Sequence, residues 1–395
     1  MRILKQKMTW LGVAIILVVL IVFGLAMMGS VLGSKPKELP VALVVLDQPA
    51  ELATGETFAV GEKIQETLVS NPALPFVWHV VDSEGKARKG MDNRDFYGAV
   101  VLPVDLSTGL LSLATSSPIH PNVKLITNEG MSTQASTVVT QALGQALKMI
   151  NEELSQQLLG QIGQQKEYIP VETAKDFVAP MNVQEEAMHS PGVNNASGNA
   201  PALLTQIMWI GSLVTGIVLF LAGKKVVDAG SRRWTVSALQ AIVGLVIVIF
   251  SSGFTIWMAS SWYGMEMADT RATWLFLWLV GSAFFLLQSS LLNWIGFRAM
   301  PLLVLLMFFS IPLLNMAPEF LPHTTRDWIY SWTPLRFAAG GLREVMYFGG
   351  LDAASSNTSV LWGVSMGFLV LLLASGFKAG RSTDAAPTSV TIGLK

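Results

Sequence analysis

Six stretches of this chain carry no Lys, Arg, Asp or Glu: residues 8–34, 187–223, 234–265, 272–297, 299–318 and 353–377. Each contains about 20 strongly apolar residues, enough to cross a hydrocarbon core of about 30 Å as a helix. Lipid offers the backbone no hydrogen-bond partner, so such segments must be helical. The expected spans lie near 10–32, 203–223, 236–258, 273–294, 299–316 and 359–377. The fifth is the shortest, and Pro301 and Pro312 are placed to kink it. Charged residues make up 13% of the chain, about half the roughly 25% of a soluble globular protein. A soluble enzyme and a disordered chain are both excluded on these grounds. With no cysteine, disulfides and cysteine-ligated metals are excluded as well.

The first run follows Arg2, Lys5 and Lys7 and so resembles a signal peptide. Its apolar stretch, Leu11 to Met28, exceeds the usual core of about 7–15 residues and reads as an uncleaved anchor. With an inner N-terminus, the inner segments are 1–9, 224–235, 295–298 and 378–395, with a net charge of +9. The outer segments sum to −10. This bias follows the positive-inside rule and puts both termini in the cytoplasm. Trp10, Trp234, Trp257, Trp274, Trp294 and Trp362 fall near span ends, as an interfacial aromatic belt requires. The expected fold is an α-helical integral membrane protein with six transmembrane helices and an extracytoplasmic α/β domain between helices one and two. Residues 1–34 hold the cytoplasmic N-terminus and first helix, 35–202 the outer domain, 203–380 five membrane helices and 381–395 a cytoplasmic tail.

Within the outer domain, Val41–Asp47, Phe76–Asp82, Phe96–Pro103 and Asn122–Thr127 read as strands. Thr57–Val69 reads as a helix, with Val60, Ile64 and Leu68 on one face, and Asp105 is placed to cap a short helix through Leu113. A long helix is expected over Ser132–Gln164, striped by Val139, Leu143, Leu147, Ile150, Leu154, Leu158 and Ile162. That stripe either packs on the domain's own sheet or forms a stalk that pairs with a second copy. Residues 166–202 read as a linker.

The Gly-Lys pairs, Gly85-Lys86 and Gly223-Lys224, lack the flanking residues of a phosphate-binding loop, so no ATP site is expected. The histidines, His79, His120, His189 and His323, are scattered, which argues for neither metal nor cofactor. Near-neutral net charge argues against a nucleic-acid partner. No ionisable residue lies at mid-span, so ion-coupled transport powered by this chain alone is disfavoured. Gln240 and Gln288 are the main polar candidates there, suited to helix–helix hydrogen bonds.

Two segments stand out. Thr333 and Pro334 suit the start of a short amphipathic helix and Gly349 and Gly350 its end. Its apolar face is Leu335, Ala338, Leu342, Val345 and Met346, and Arg336 and Arg343 share a polar one, with Glu344 beside them. The helix is either an interfacial cap on the bundle or an outer gate whose arginines meet exported headgroups. The inner loop Gly223–Trp234 offers Lys224, Lys225, Arg232 and Arg233 to anionic lipid headgroups of the bilayer.

One span, a large outer α/β domain and five further spans resemble type-2 ABC-exporter permeases, and most closely the phage infection protein (YhgE/Pip) family. Three stretches carry the resemblance. Lys37 to Glu51 (KELPVALVVLDQPAE) looks like the family's opening strand. Phe177 to Val214 is similar to its approach to the second span, with a Trp-x-Gly inside the membrane. Leu321 to Gly350 looks like the outer segment between the last two spans, ending in Leu-Arg-Glu and a Gly pair. The outer domain lacks the very long coiled-coil insertion of many family members. The resemblance implies a bacterial cytoplasmic-membrane permease, a homo- or heterodimer, energised by a separate ATP-binding cassette subunit. It also implies that the loop bearing Lys224, Lys225, Arg232 and Arg233 contacts that subunit. The expected activity is export of a hydrophobic or amphiphilic compound, with no catalysis by this chain. The alternative is a non-transporting surface scaffold or receptor, such as a secretion accessory or phage-adsorption protein.

Overall fold

The computed structural model describes residues 36–51, 57–115, 117–165, 171–314, 316–322 and 325–378. The expected first span near 10–32 and the tail 381–395 lie outside them.

Short apolar runs of Val, Ala and Leu build a five-stranded sheet. Its strands are β1 (Leu39–Val45), β4 (Phe76–Val81), β5 (Gly98–Leu102), β6 (Asn122–Asn128) and β7 (Asn182–Met188), in the order β4-β1-β5-β6-β7. β1 pairs parallel with β4 and β5, β6 runs antiparallel to β5, and β7 is parallel to β6. A two-stranded ribbon, β2 (Ala50–Glu51) and β3 (Thr57–Phe58), lies apart from it. Three helices fill the crossovers: α1 (Val60–Val69), α2 (Glu84–Asp92) and α3 (Leu106–Ser112). The four expected strands are present. The segment 166–202, expected as a linker, instead contains α5 (Val171–Val178) and β7.

Asp47, just beyond β1, ties two crossovers together. Its carboxylate accepts from Gly61 N at 2.8 Å and from Ser107 N and Oγ at 2.8 and 2.6 Å. It therefore satisfies open N–H groups at the starts of α1 and α3, where the helix dipole favours negative charge. A Cβ on Gly61 would come within 2.5 Å of Asp47 Cβ, so only glycine permits this approach. Asp105, expected as a cap, makes no side-chain cap bond.

The long helix is α4 (Thr133–Gln165). Its stripe from Val139 to Leu158 is buried in one cluster with Val41, Leu43, Val100, Leu125, Ile64 and Phe177. The stripe thus covers the domain's own sheet. Asn151 pins the return of the chain by accepting from Met181 N and donating to Met181 O, each at 3.1 Å.

Among the described residues, four helical stretches are long and apolar enough to cross a membrane: Ala200–Asp228, Arg233–Ser261, Thr270–Ile311 and Ser355–Phe377. We call the helices α6 (Ala200–Asp228), α7 (Arg233–Ser261), α8 (Thr270–Ile295), α9 (Ala299–Leu314), α10 (Pro334–Tyr347) and α11 (Ser355–Ala374). A 3-10 turn at Gly296–Arg298 separates α8 from α9, and Gly296 has φ of 64° there. α9 alone has 16 residues, about 24 Å of rise, less than a full hydrocarbon core.

α8 is the hub, buried over most of its surface from Ala272 to Leu292 and packed on α6, α7, α9, α10 and α11. Gly244 of α7 admits the Phe285 ring, and Gly281 of α8 admits Met208 and Val248. Gln288 Nε2 donates to Trp209 O at 3.1 Å, and Asn293 Nδ2 donates to Gln240 Oε1 at 3.0 Å. Both glutamines therefore make the interhelical bonds that their sequence positions suggested. Outward faces stay apolar, with Ile207, Ile210 and Val214 on α6 and Ile242, Val246 and Phe250 on α7 exposed. These are the surfaces a bilayer would cover.

Candidate functional site at the two ends of the bundle

The bundle has a domain end and a far end. At the far end Trp294 Nε1 donates to Leu371 O at 2.9 Å, and Lys378 Nζ donates to Trp294 O at 2.6 Å. Arg233 Nη1 donates to Lys378 O at 3.2 Å. Gly376 lies against the Trp234 backbone, an approach that leaves no room for a side chain. These contacts bring the loop between α6 and α7 beside the end of α11. Together they line a small polar hollow of about 190 Å³, with Lys224, Asp228, Arg233, Asn293 and Lys378 around it. Lys224, Lys225, Arg232 and Arg233 are all exposed, and Gly230 turns the loop at φ of 100°. Among the described residues, Lys224, Lys225 and Arg232 form no ion pair. Of the sequence-predicted cationic set, the structure brings Lys224 and Arg233 to one hollow and leaves Lys225 and Arg232 exposed on the same loop.

The domain end is built differently. The core beneath the sheet continues into Met316, Ala317, Phe320 and Leu321, which follow α9. Tyr97 Oη donates to Glu319 Oε2 at 2.7 Å across that junction. At the end of α2 the chain turns left-handed at Arg94, with φ of 68°, and Asp95 N bonds Gly90 O at 2.7 Å. That turn directs Arg94 at α10, where it pairs with Glu344. Glu344 is 6% exposed and also accepts from Asn357 Nδ2 of α11 at 2.8 Å. His189, after β7, stacks on Phe348 with ring centroids 4.3 Å apart. Tyr347 Oη donates to Asn195 Oδ1 at 2.9 Å, and Asn195 Nδ2 donates to Glu266 O at 2.6 Å.

Pro334 opens α10 as expected, following Thr333 at the N-cap position, and Gly349 and Gly350 follow its end with φ of 104° and 88°. The expectation of a surface helix with a free polar face is corrected. α10 is wedged among α6, α8, α9 and α11, with Leu335, Ala338, Leu342, Val345 and Met346 buried. Arg336 is half-buried, with its guanidinium 4.7 Å from the Tyr330 and Phe337 ring centroids. It donates to Tyr330 O at 3.3 Å. Arg343 is also partly buried, beside the hydroxyls of Tyr330, Tyr347 and Tyr97. Burial disfavours its charge and draws its pKa below the ordinary arginine range, which the three tyrosines oppose only in part. It has no ion-pair partner among the described residues. Burial likewise holds the Tyr97 and Tyr330 hydroxyls above the ordinary tyrosine range, so they remain donors.

Glu344 lies beside Arg343 in the sequence but does not pair with it. Its partner, Arg94, is instead supplied by the α/β domain. Arg94, Tyr97 and Glu319 were not found by sequence reasoning, because their pairings join residues more than 200 positions apart and leave no local pattern.

The profile of the ABC-2 family transporter proteins matches residues 8–375. The chain belongs to that family. It is a multi-pass membrane permease of an ABC transporter, and its function is transport rather than that of a conventional enzyme. No curated protein and no solved structure gave a match. The match runs through the α/β domain and the bundle alike, and the far-end cations lie on the loop that joins the first two described spans.

Proposed function

We propose that the chain is the permease subunit of an exporter for a hydrophobic or amphiphilic compound, dimeric and driven by a separate ATP-binding cassette subunit. The carrying observation is the open cationic surface of Lys224, Lys225, Arg232 and Arg233 at the far end. Surface cations that no intramolecular partner neutralises are suited to a docking face. The bundle supports the energy source, since its described spans hold no mid-span charge through which ion coupling could run. The net +9 of the segments assigned inside favours a cytoplasmic far end, with the α/β domain outside. At the domain end, Arg343 among three tyrosines and Arg336 on Tyr330 serve as the outer gate, with Pro334 starting the helix and Glu344 holding it. The sequence resemblance to the phage infection protein family supports a bacterial cytoplasmic-membrane location.

The test is affinity purification of the tagged chain from its native membrane. A nucleotide-binding cassette protein co-purifies with the native chain and is lost with Arg232→Glu/Arg233→Glu. Because the chain has no cysteine, a Ser231→Cys label confirms that the variant keeps its orientation. A cassette protein retained equally by the variant would contradict the docking assignment. A native chain that brings down none would favour a scaffold without transport.

A further inference from the structure

A lateral cleft of about 410 Å³ opens between α8 and α11, in the range of sites that hold small ligands. Its wall is almost wholly apolar, including Phe276, Leu279, Leu286 and Leu369. Trp362 and Met366 also line it, and both are exposed on the bilayer-facing side of α11. The mouth therefore faces the hydrocarbon region rather than water.

Three residues that line it each carry a buried polar atom with no partner among the described residues: Trp278 Nε1, Ser282 Oγ and Thr358 Oγ1. Ser282 is 7% exposed. Contacts fix their depth. A Cβ on Gly341 would touch both Phe276 and Asn357, and Trp294 bonds Leu371, so α8 and α11 run side by side in the same direction. Trp278 and Thr358 consequently share one level near the domain end, and Ser282 lies about one helical turn deeper. An indole N–H cannot turn back to its own helix backbone, so Trp278 needs an outside acceptor. A buried donor without one costs free energy that an acceptor restores.

We infer that this cleft binds the acyl chain of a membrane lipid, the chain lying along Ser282, Leu286 and Leu369 and its ester carbonyl accepting from Trp278 and Thr358 once their buried donors turn to the cleft. The entrance explains why the ligand is lipid-borne, and the two donors at one level explain why it carries a carbonyl at its polar end. The site is independent of the cationic loop and of any ATPase.

The test uses the full chain in nanodiscs containing a phospholipid with a photoreactive diazirine midway along one ester-linked chain. Mass mapping after illumination should place the label on peptides covering Trp278 to Leu286 and Thr358 to Leu369, above the level on Ile242 to Phe250, which meets bulk lipid. Ser282→Phe should abolish the excess by filling the cleft. The milder pair Ser282→Ala/Thr358→Val should lower it about five-fold for the ester lipid and leave an ether-linked analogue unchanged. Label no greater in the cleft than on α7 would overturn the inference. So would equal loss of ester and ether lipids. Disulfide formation between Met366→Cys and a cysteine placed between Ile15 and Ile21 would overturn it too, because the chain's own first apolar run would then fill the space.

Discussion

Glu344 and Arg232 stand at opposite ends of the same bundle. Glu344 is 6% exposed and tied to two elements, Arg94 of the α/β domain and Asn357 of α11. Arg232 is exposed and has no ion-pair partner among the described residues. At the domain end the Arg94–Glu344 pair is consumed in holding α10 to the α/β domain and to α11. Charge at the far end is left over after folding. Residues whose interactions are already satisfied act as architecture, whereas unsatisfied surface charge is available to a partner.

The largest test of this contrast is Arg94→Ala. It leaves the Glu344 carboxylate buried without its cation and should cost about 2–4 kcal/mol, moderated by the 36% exposure of the Arg94 side chain. Thermal unfolding in detergent measures it, and Arg94→Ala/Glu344→Gln should recover most of the loss. Tyr97→Phe comes next. It removes the donor that links the residue before β5 to Glu319 and should cost about 2 kcal/mol. At the far end, Lys225→Gln/Arg232→Gln should change stability by no more than about 0.5 kcal/mol, while cassette binding falls. Equal destabilisation at both ends would erase the distinction.

A smaller effect concerns pH. Burial holds the His189 imidazole below its ordinary value of 6.5, although Asp92 lies 3.2 Å away and opposes this. The undocked chain therefore binds the proton more readily. Docking of the α/β domain should be fully supported above about pH 6.5 and weaken as pH falls below it. His189→Gln should flatten that slope, which hydrogen exchange around Phe348 would read.

Much of the architecture was legible in the sequence because it rests on local pattern. Alternation of strand and helix located β1, β4, β5 and β6, and the stripe from Val139 to Leu158 located α4. β7 escaped because Asn182–Met188 is a mostly exposed edge strand with Glu185 and Glu186 in it, so no apolar signal marks it. α2 escaped for a related reason, since EGKARKGMD buries only Ala87, Gly90 and Met91. The far-end cations were legible individually, and the loop that turns at Gly230 carries all four exposed. The gate helix was legible as a helix but not in its surroundings. Amphipathicity shows that one face is buried, yet it cannot show that Arg336 finds an aromatic stack and Glu344 a distant arginine on the other.

The central claim is that work enters at the far end from a separate subunit. Its most direct test is ATP-driven transport in liposomes containing the purified chain with and without the cassette protein that co-purifies with it. The account predicts no ATP hydrolysis and no transport by the chain alone, both activities with the pair, and their loss when Arg232→Glu/Arg233→Glu is paired instead. ATP-driven transport by the chain alone would contradict it.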